Sequence, residues 1–152
     1  MHPRLDLFAA APTEMKAWLD FSLSLKGLEH SLQELVKTRA SQINGCANCL
    51  HMHIQDARKA GESEARLYLL NAWRETDGVY SPREQAALAW TESLTLVADK
   101  RAPDDVYEAL AEHFTPEEQV QLTLLIVVIN GWNRVAVGFG VRPNVQAESK
   151  AA

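Results

Sequence analysis

The sequence predicts an all-α protein, a compact bundle of about six to eight helices. Three observations predict it. Apolar residues recur at helical spacing, as at Leu28, Leu32 and Leu35, and two proline-containing helix-start signals stand at Ser81 and Thr115. In addition, no segment alternates apolar and polar residues for long enough to form a strand. The 152 residues, 47% of them hydrophobic, suffice for one domain with its own core.

The first half of the chain contains signals for four helices. Asn44-Gly45 ends the second one, because both residues tolerate the left-handed conformation that a helix exit requires. Gly61 and the Asp77-Gly78 turn end the third and fourth. The predicted helices are one capped by Thr13 and running from Glu14 toward Leu25, one from Leu28 to Ile43, one from Cys46 to Ala60, and a short one capped by Ser63 and reaching Trp73.

The second half contains the strongest local signals. "SPRE" from Ser81 and "TPEE" from Thr115 each combine a cap, a proline at the first helical position and a glutamate at the third, as in a capping box. A shorter helix is predicted between them, after Pro103. The last helix is apolar around its circumference from Leu122 to Ile129, so it is expected to be central and buried. The helix from Pro82 is expected to bury Ala87, Thr91, Leu94 and Ala98.

Composition narrows the function classes. The net charge of −5 argues against a protein that binds nucleic acid or anionic membranes. The N-terminal segment lacks the apolar region of a signal peptide, and the apolar run 122–129 is too short to span a bilayer. We therefore expect a cytoplasmic protein. Residues 1–143 are expected to form the single domain, and the polar segment 144–152 to be disordered.

Both cysteines of the chain lie in the stretch "NGCANCLHMH", from Asn44 to His53. In a helix, Cys46, Cys49 and His53 share one face, and the cysteine Cβ atoms lie about 5–6 Å apart. A disulfide at this spacing is possible and reducible. It would constrain the unfolded chain very little, so a purely structural role makes little sense.

Reactivity depends on thiolate formation, which a helix N-terminus and a nearby base both favour. His53 follows Cys49 by one turn on the same face and can act as that base. Glu34 shares a side of its helix with small residues, Thr38 and Ser41, that let another helix approach. We therefore expect Glu34 to be buried and its pKa to be raised. Asn48 and His51 lie on the opposite side, and His51 is expected to meet solvent.

A cysteine pair can also bind zinc, which would need two further ligands. His53 could be one of them. The other histidines, His2, His30 and His113, are not at a spacing typical of ligands, so redox chemistry is favoured over zinc. Asn130, Asn133 and Arg134 are interpreted as polar groups that hold helices or subunits together.

Glu34, Cys46, Cys49 and His53 read E-x11-C-x2-C-x3-H. This motif resembles that of the AhpD-like alkylhydroperoxidases of the carboxymuconolactone decarboxylase superfamily. The segments "SPREQAALAWTESLT" and "TLLIVVINGWNR" are also similar to that family. The resemblance covers most of the chain and implies an AhpD-like helical fold that assembles into dimers, trimers or hexamers. Some members have a histidine where this chain has Asn48.

The resemblance also implies the roles of the four residues. Cys49 would be attacked by a hydroperoxide, Cys46 would resolve the sulfenic acid to a disulfide, and His53 and Glu34 would relay protons. The implied activity is reduction of alkyl hydroperoxides or hydrogen peroxide, without metal or organic cofactor. The implied reductant is a dithiol carried by a lipoylated or thioredoxin-like protein.

Three alternatives stay open at this point. A dithiol electron-relay protein with little peroxidase activity would use the same cysteines. A zinc-binding helical module would use them as ligands. Decarboxylation of a muconolactone is a further activity of the superfamily, but that branch typically lacks the cysteine pair.

Overall fold

The computed structural model describes residues 3–145, and within this range all regular structure is helical. The prediction of an all-α fold is thus confirmed. The described residues form nine α-helices: α1 Leu7–Ala10, α2 Pro12–Ser24, α3 His30–Asn44, α4 Ala47–Lys59, α5 Glu64–Leu69, α6 Pro82–Thr95, α7 Val97–Lys100, α8 Asp104–His113 and α9 Pro116–Phe139. A 3-10 segment, Leu70–Glu75, follows α5. The number exceeds the prediction because the short helices α1 and α7 have too few residues to show a periodic pattern.

Helix α3 lies at the centre of the bundle and packs against α4, α6 and α9, while α6 also packs against α8. The core residues Leu35, Val36, Leu88 and Leu122 are fully buried at these contacts. Burial of such side chains contributes about 1.5–3 kcal/mol each and fixes α3 as a rigid support for the helices around it.

Several predicted boundaries are confirmed at the level of hydrogen bonds. Ser81 Oγ accepts from the Glu84 amide and Glu84 Oε2 accepts from the Ser81 amide, at 3.2 and 2.8 Å. Thr115 and Glu118 form the same capping box at the start of α9. Gly45 ends α3 with a φ of 64°, the left-handed conformation that the sequence predicts there.

Other predicted boundaries are wrong. Helix α2 begins at Pro12 rather than at Glu14, because proline at the first helical position needs no amide partner, and Thr13 is not its cap. The helix after Ser63 gives way to the 3-10 segment, in which Ala72 has non-helical dihedral angles. Helix α6 ends at Thr95, so Ala98 is exposed instead of buried, and Leu94 is only half-buried.

Helix α9 is central but not buried all round. Leu122, Ile126 and Ile129 face the core, whereas Val127 and Val137 are half exposed. The helix has 24 residues and a mean hydropathy of 1.5 over its most apolar part, so by length and composition alone it could cross a membrane. The prediction that this part of the chain is too short to span a bilayer rested on the run 122–129 alone, which is shorter than the helix. Its packing against α3 and α6 is that of a core helix.

The α1–α2 segment attaches to the outer side of α9. Trp18 lies so close to Gly131 that a Cβ there would come within 2.5 Å of the indole, and Trp132 Nε1 donates to Ser22 Oγ at 2.9 Å. Helix α2 has no buried residue. Of the segment predicted to be disordered, 144–152, only Asn144 and Val145 lie within the described residues, and His2 lies outside them.

Candidate active site

The two cysteines lie at the elbow between α3 and α4. After Gly45, the Cys46 amide donates to the Ser41 carbonyl at 3.0 Å, which directs the chain into α4. Cys46 is the N-cap of α4 and has extended backbone dihedral angles, so the helix begins one residue later than predicted. The Cys49 amide donates to Cys46 Sγ at 3.3 Å. Cys46 therefore lies at the positive end of the helix dipole, where a thiolate is stabilised.

Cys46 and Cys49 are joined by a disulfide, with their Cα atoms 5.4 Å apart, an ordinary separation for such a bond. Both residues are buried, with only 1% and 2% of their surface exposed. They pack in one apolar cluster with Ala40, Ile129 and Ala136. Any molecule that reacts with the sulfur atoms must therefore reach them through a gap between side chains or through a local movement.

Glu34 and His53 meet between α3 and α4. His53 Nδ1 lies 2.9 Å from Glu34 Oε2, and Lys37 Nζ donates to the other carboxylate oxygen at 2.6 Å. Glu34 is 2% exposed and His53 is 8% exposed. The exposed His30 ring is 3.7 Å from the same carboxylate. The carboxylate thus has a histidine on one oxygen and an ammonium group on the other.

The pKa of Glu34 is lowered, not raised as the sequence predicted. Burial alone raises the pKa of this carboxyl, but hydrogen bonds from His53 and Lys37 and their positive charge outweigh burial. Glu34 is therefore ionised at neutral pH and can only accept hydrogen bonds. In the neutral ring His53 then carries its proton on Nδ1, which leaves Nε2 as the basic nitrogen.

Lys37 escaped the sequence prediction. Its spacing of three residues from Glu34 on one helix was the available signal, since residues three apart are neighbours on a helix surface. The prediction for His51 was also inaccurate, because its side chain is half-buried rather than open to solvent. The four predicted site residues lie in two directly bonded pairs, Glu34 with His53 and Cys46 with Cys49.

Among the described residues, the ligand atoms close enough to share a metal ion belong to Glu34, His53 and Asp56, within 4.8 Å of one another. This group includes neither cysteine, contrary to the zinc hypothesis. The Lys37 ammonium group already neutralises the Glu34 carboxylate and would repel a cation. The residues therefore fit a proton relay better than a metal centre.

A buried polar network supports the elbow from beneath. Asn44 Nδ2 donates to Asn130 Oδ1 at 2.9 Å and to Asn133 Oδ1 at 2.8 Å. Asn133 Nδ2 in turn donates to Ser41 Oγ at 3.0 Å. The prediction that Asn130 and Asn133 hold helices together is confirmed for α9 and α3. Asn44, predicted only as the end of α3, donates to both asparagines of α9.

Comparison with known proteins places this geometry in a family. Residues 12–93 match the carboxymuconolactone decarboxylase family. The chain is 44% identical over 144 residues to the uncharacterized protein YdfG of Bacillus subtilis (strain 168). The aligned residues make up 93% of this chain and 97% of that protein.

Two solved structures share the fold. A protein of unknown function from Agrobacterium tumefaciens, described as an AhpD-type antioxidant defence protein, superimposes with a TM-score of 0.89 and 42% identity, over 93% of this chain and 99% of that one. The debrominase Bmp8 superimposes with a TM-score of 0.77 and 16% identity, over 88% and 72% of the two chains, a likeness of fold alone. From the family match and these relatives, the chain belongs to the AhpD-like proteins of the carboxymuconolactone decarboxylase family.

Proposed function

We propose that this protein reduces hydroperoxides through a dithiol–disulfide cycle at Cys46 and Cys49. The observation that carries the proposal is the ionised Glu34 hydrogen-bonded to His53, on the helix face that also carries the disulfide. Membership of the AhpD-like family suggests an antioxidant, alkylhydroperoxidase-type activity, and the paired cysteines are present. The specific peroxidase reaction and the roles below are our proposal.

In the first step His53 accepts the proton of the Cys49 thiol, as a base one helical turn away. The Cys49 thiolate attacks the terminal oxygen of the hydroperoxide ROOH, an S–O bond forms and the O–O bond breaks. The leaving alkoxide takes the proton from His53 and departs as the alcohol ROH. Cys49 is left as a sulfenic acid, oxidised by two electrons. Glu34 acts by holding His53 in the required tautomer and by stabilising its protonated ring.

In the second step the Cys46 thiolate attacks the Cys49 sulfur. The disulfide forms and the sulfenic oxygen leaves as water after taking up a proton. The amide of Cys49, which donates to Cys46 Sγ, stabilises the Cys46 thiolate, and this suits a resolving residue. The same contact makes Cys46 the better leaving thiolate when a reductant opens the disulfide.

A dithiol reductant must supply two electrons in each cycle, becoming a disulfide itself. We propose a lipoylated or thioredoxin-like protein in this role and a cytoplasmic location, where such donors are kept reduced. The burial of both sulfur atoms favours a thin dithiol arm over a rigid protein surface as the group that reaches them.

The test is a titration of the fully reduced protein with hydroperoxide. One equivalent of ROOH should remove both thiols together and yield one equivalent of ROH. Metal analysis of the same freshly purified sample is the control. Stoichiometric zinc with both thiols protected from peroxide would overturn the proposal and restore the zinc-binding hypothesis.

One observation favours a second candidate, a dithiol relay that passes electrons to another protein disulfide. Asn48 occupies the position at which some family members have a histidine. The proton relay that serves the peroxidase reaction therefore has one titratable group fewer in this protein. Single-turnover rates of the reduced protein with a hydroperoxide and with a protein disulfide separate the two candidates. The peroxidase proposal requires that the reaction with hydroperoxide is the faster one.

A further inference from the structure

Thr38, on α3, carries a buried hydroxyl group that has no hydrogen-bond partner. The residue is fully buried, and its Oγ1 atom forms no hydrogen bond within the described part of the chain. Such a group is rare in a folded protein, because a buried polar atom gives up its bonds to water. A buried threonine in a helix can bond to the carbonyl four residues earlier, as Thr91 on α6 does to Ala87 at 2.7 Å. The Thr38 hydroxyl is thus available to a group whose state changes when the disulfide opens.

The neighbours of Thr38 on the surface of α3 show that it faces α4. Residues of a helix lie 100° apart around its axis, so Thr38 falls between Glu34 and Leu35 on that surface. Both of these residues meet α4. Glu34 bonds to His53, and Leu35 packs in one apolar cluster with Ala57. Thr38 therefore lies in the interface between the two helices that carry the candidate active site.

Two contacts fix the level of Thr38 along this interface. One is the bond from the Cys46 amide to the Ser41 carbonyl at the elbow, and the other is the carboxylate–imidazole pair, seven residues further along each helix. Equal intervals on α3 and α4 mean that the two helices run antiparallel and stay in register. Thr38 is three residues from Ser41, and Cys49 is three residues from Cys46. The register therefore places Thr38 and Cys49 at the same level, opposite each other.

A Cys49 thiolate needs a hydrogen-bond donor, because an anion buried among apolar groups is costly. The side chains of α9 that pack around the cysteines, Ile129 and Ala136, have no polar atom. The Cys49 amide already donates to the sulfur of the other cysteine. The ionisable groups around this position lie on α3 and α4, and they are Glu34, Lys37, Cys46, His53 and Asp56.

We propose that the Thr38 hydroxyl donates a hydrogen bond to the Cys49 thiolate in the reduced protein and so promotes the reaction of this cysteine. In the disulfide the Cys49 sulfur is uncharged and bonded to Cys46. Reduction breaks that bond, and the sulfur can then turn toward α3. The hydroxyl can rotate to meet it, and a hydrogen bond to an anion is stronger than one between neutral groups. The inference rests on the proposed function, in which His53 takes the proton of Cys49, and adds the group that stabilises the charge left on the sulfur.

The experiment measures the rate at which iodoacetamide alkylates Cys49 as a function of pH, in full-length protein that carries Cys46→Ser so that one thiol reacts. Thr38→Val removes the hydroxyl and keeps the shape of the side chain. It should raise the midpoint of the pH profile and slow alkylation at pH 7 by about threefold or more, with the same limiting rate at high pH. Thr91→Val is the matched control, since that buried hydroxyl bonds within its own helix, and the midpoint should not move.

A second pair of variants covers the case in which Thr38→Val fails to fold. Thr38→Ser and Thr38→Ala differ by one hydroxyl, and the midpoint should be higher in Thr38→Ala, whereas Thr38→Ser should stay within about twofold of the parent rate at pH 7. A midpoint that does not respond to loss of the hydroxyl overturns the inference. Equal slowing at every pH also overturns it, because that result reports altered access to the sulfur.

Alkylation does not need peroxide, so the two proposals fail separately. A reduced wild type that does not consume hydroperoxide, together with a raised midpoint in Thr38→Val, overturns the proposed function and supports the hydrogen bond from Thr38 to Cys49. A wild type that consumes hydroperoxide, with the same midpoint in Thr38→Val as in the parent protein, supports the proposed function and overturns the role of Thr38.

Discussion

Glu34 shows how a single residue's partners decide its protonation state. The sequence predicted its burial from the small residues on its side of α3, and burial by itself would raise the pKa of the carboxyl. His53 and Lys37, one on each carboxylate oxygen, reverse the direction. Burial, and Lys37 three residues along, could be anticipated from α3 alone. The contact with His53 depends on how α4 packs against α3, and its effect on the pKa was not visible in the sequence.

We predict that Glu34→Gln slows thiolate formation and leaves the fold intact. Glutamine keeps the shape of the side chain but removes the charge that holds the His53 tautomer, so alkylation of the reduced protein should slow by about tenfold or more. The measurement is the rate of reaction with iodoacetamide between pH 6 and pH 8. Glu108→Gln, an exposed acid on α8, is the control. An unchanged rate for Glu34→Gln would make Glu34 a structural group only.

Glu34 also predicts how stability depends on pH. The pKa of Glu34 is lower in the folded protein than its ordinary value of 4.5. The interaction of the charged carboxylate with Lys37 therefore contributes its full stabilisation above pH 4.5. This contribution is lost as the pH falls through the lowered pKa. Melting temperatures of wild type and Glu34→Gln, measured from pH 7 downward, should therefore converge in acid. A constant difference at all pH values would contradict the lowered pKa.

The two cysteines are predicted to react unequally. The helix N-terminus stabilises a Cys46 thiolate by about 0.3–1 kcal/mol. A general base one turn away raises the reaction rate of Cys49 by about 10²–10⁴, which corresponds to a larger energy. Cys46→Ser should consume one equivalent of peroxide and stop as a Cys49 sulfenic acid, which dimedone traps. Cys49→Ser should react slowly or not at all. Dimedone labelling of Cys46 in Cys49→Ser at the wild-type rate would reverse the assignment.

At the scale of secondary structure, the elbow between α3 and α4 depends on side chains that are far apart in sequence. Gly45 was predictable as the end of α3, because its conformation follows from local chemistry. The Asn44–Asn133–Ser41 network was not, because its partners come from α9, 89 residues away from Asn44. Local signals therefore locate the elbow, and only the folded chain shows what holds it.

We predict that Asn133→Leu loosens this elbow. Asn133 is fully buried, and its loss leaves the Ser41 hydroxyl without its donor, at a cost of about 1–3 kcal/mol in the free energy of unfolding. Amide exchange at Cys46, whose N–H binds the Ser41 carbonyl, should speed up beyond the global effect. Asn144→Leu, the same change at an exposed position, should change stability by less than about 0.5 kcal/mol. If amide exchange at Cys46 is unchanged in Asn133→Leu, the Asn44–Asn133–Ser41 hydrogen bonds do not hold the elbow in place.

At the scale of the whole molecule, the sequence predicted the fold class, the two capping boxes and the central place of α9. It missed helices α1 and α7 and placed Ala98 in the core, because a one-turn helix or a redirected chain leaves no periodic signal. It also predicted α9 as buried on every side. The structure leaves Val127 and Val137 half exposed on that helix, and α2 beside it has no buried residue.

This uncovered apolar surface predicts that the protein is an oligomer. Leu19, Phe21 and Leu23 on α2 are 37–60% exposed, and Val127 of α9 is 51% exposed. Large exposed apolar patches mark sites of protein–protein contact. Light scattering should therefore give a multiple of the 16.9 kDa chain mass. Val127→Glu should lower that mass, because a charge at a buried contact between subunits is costly, whereas Ala65→Glu on α5 should not. A wild-type mass near 16.9 kDa would refute the prediction and show that these apolar side chains are exposed to solvent in a monomer.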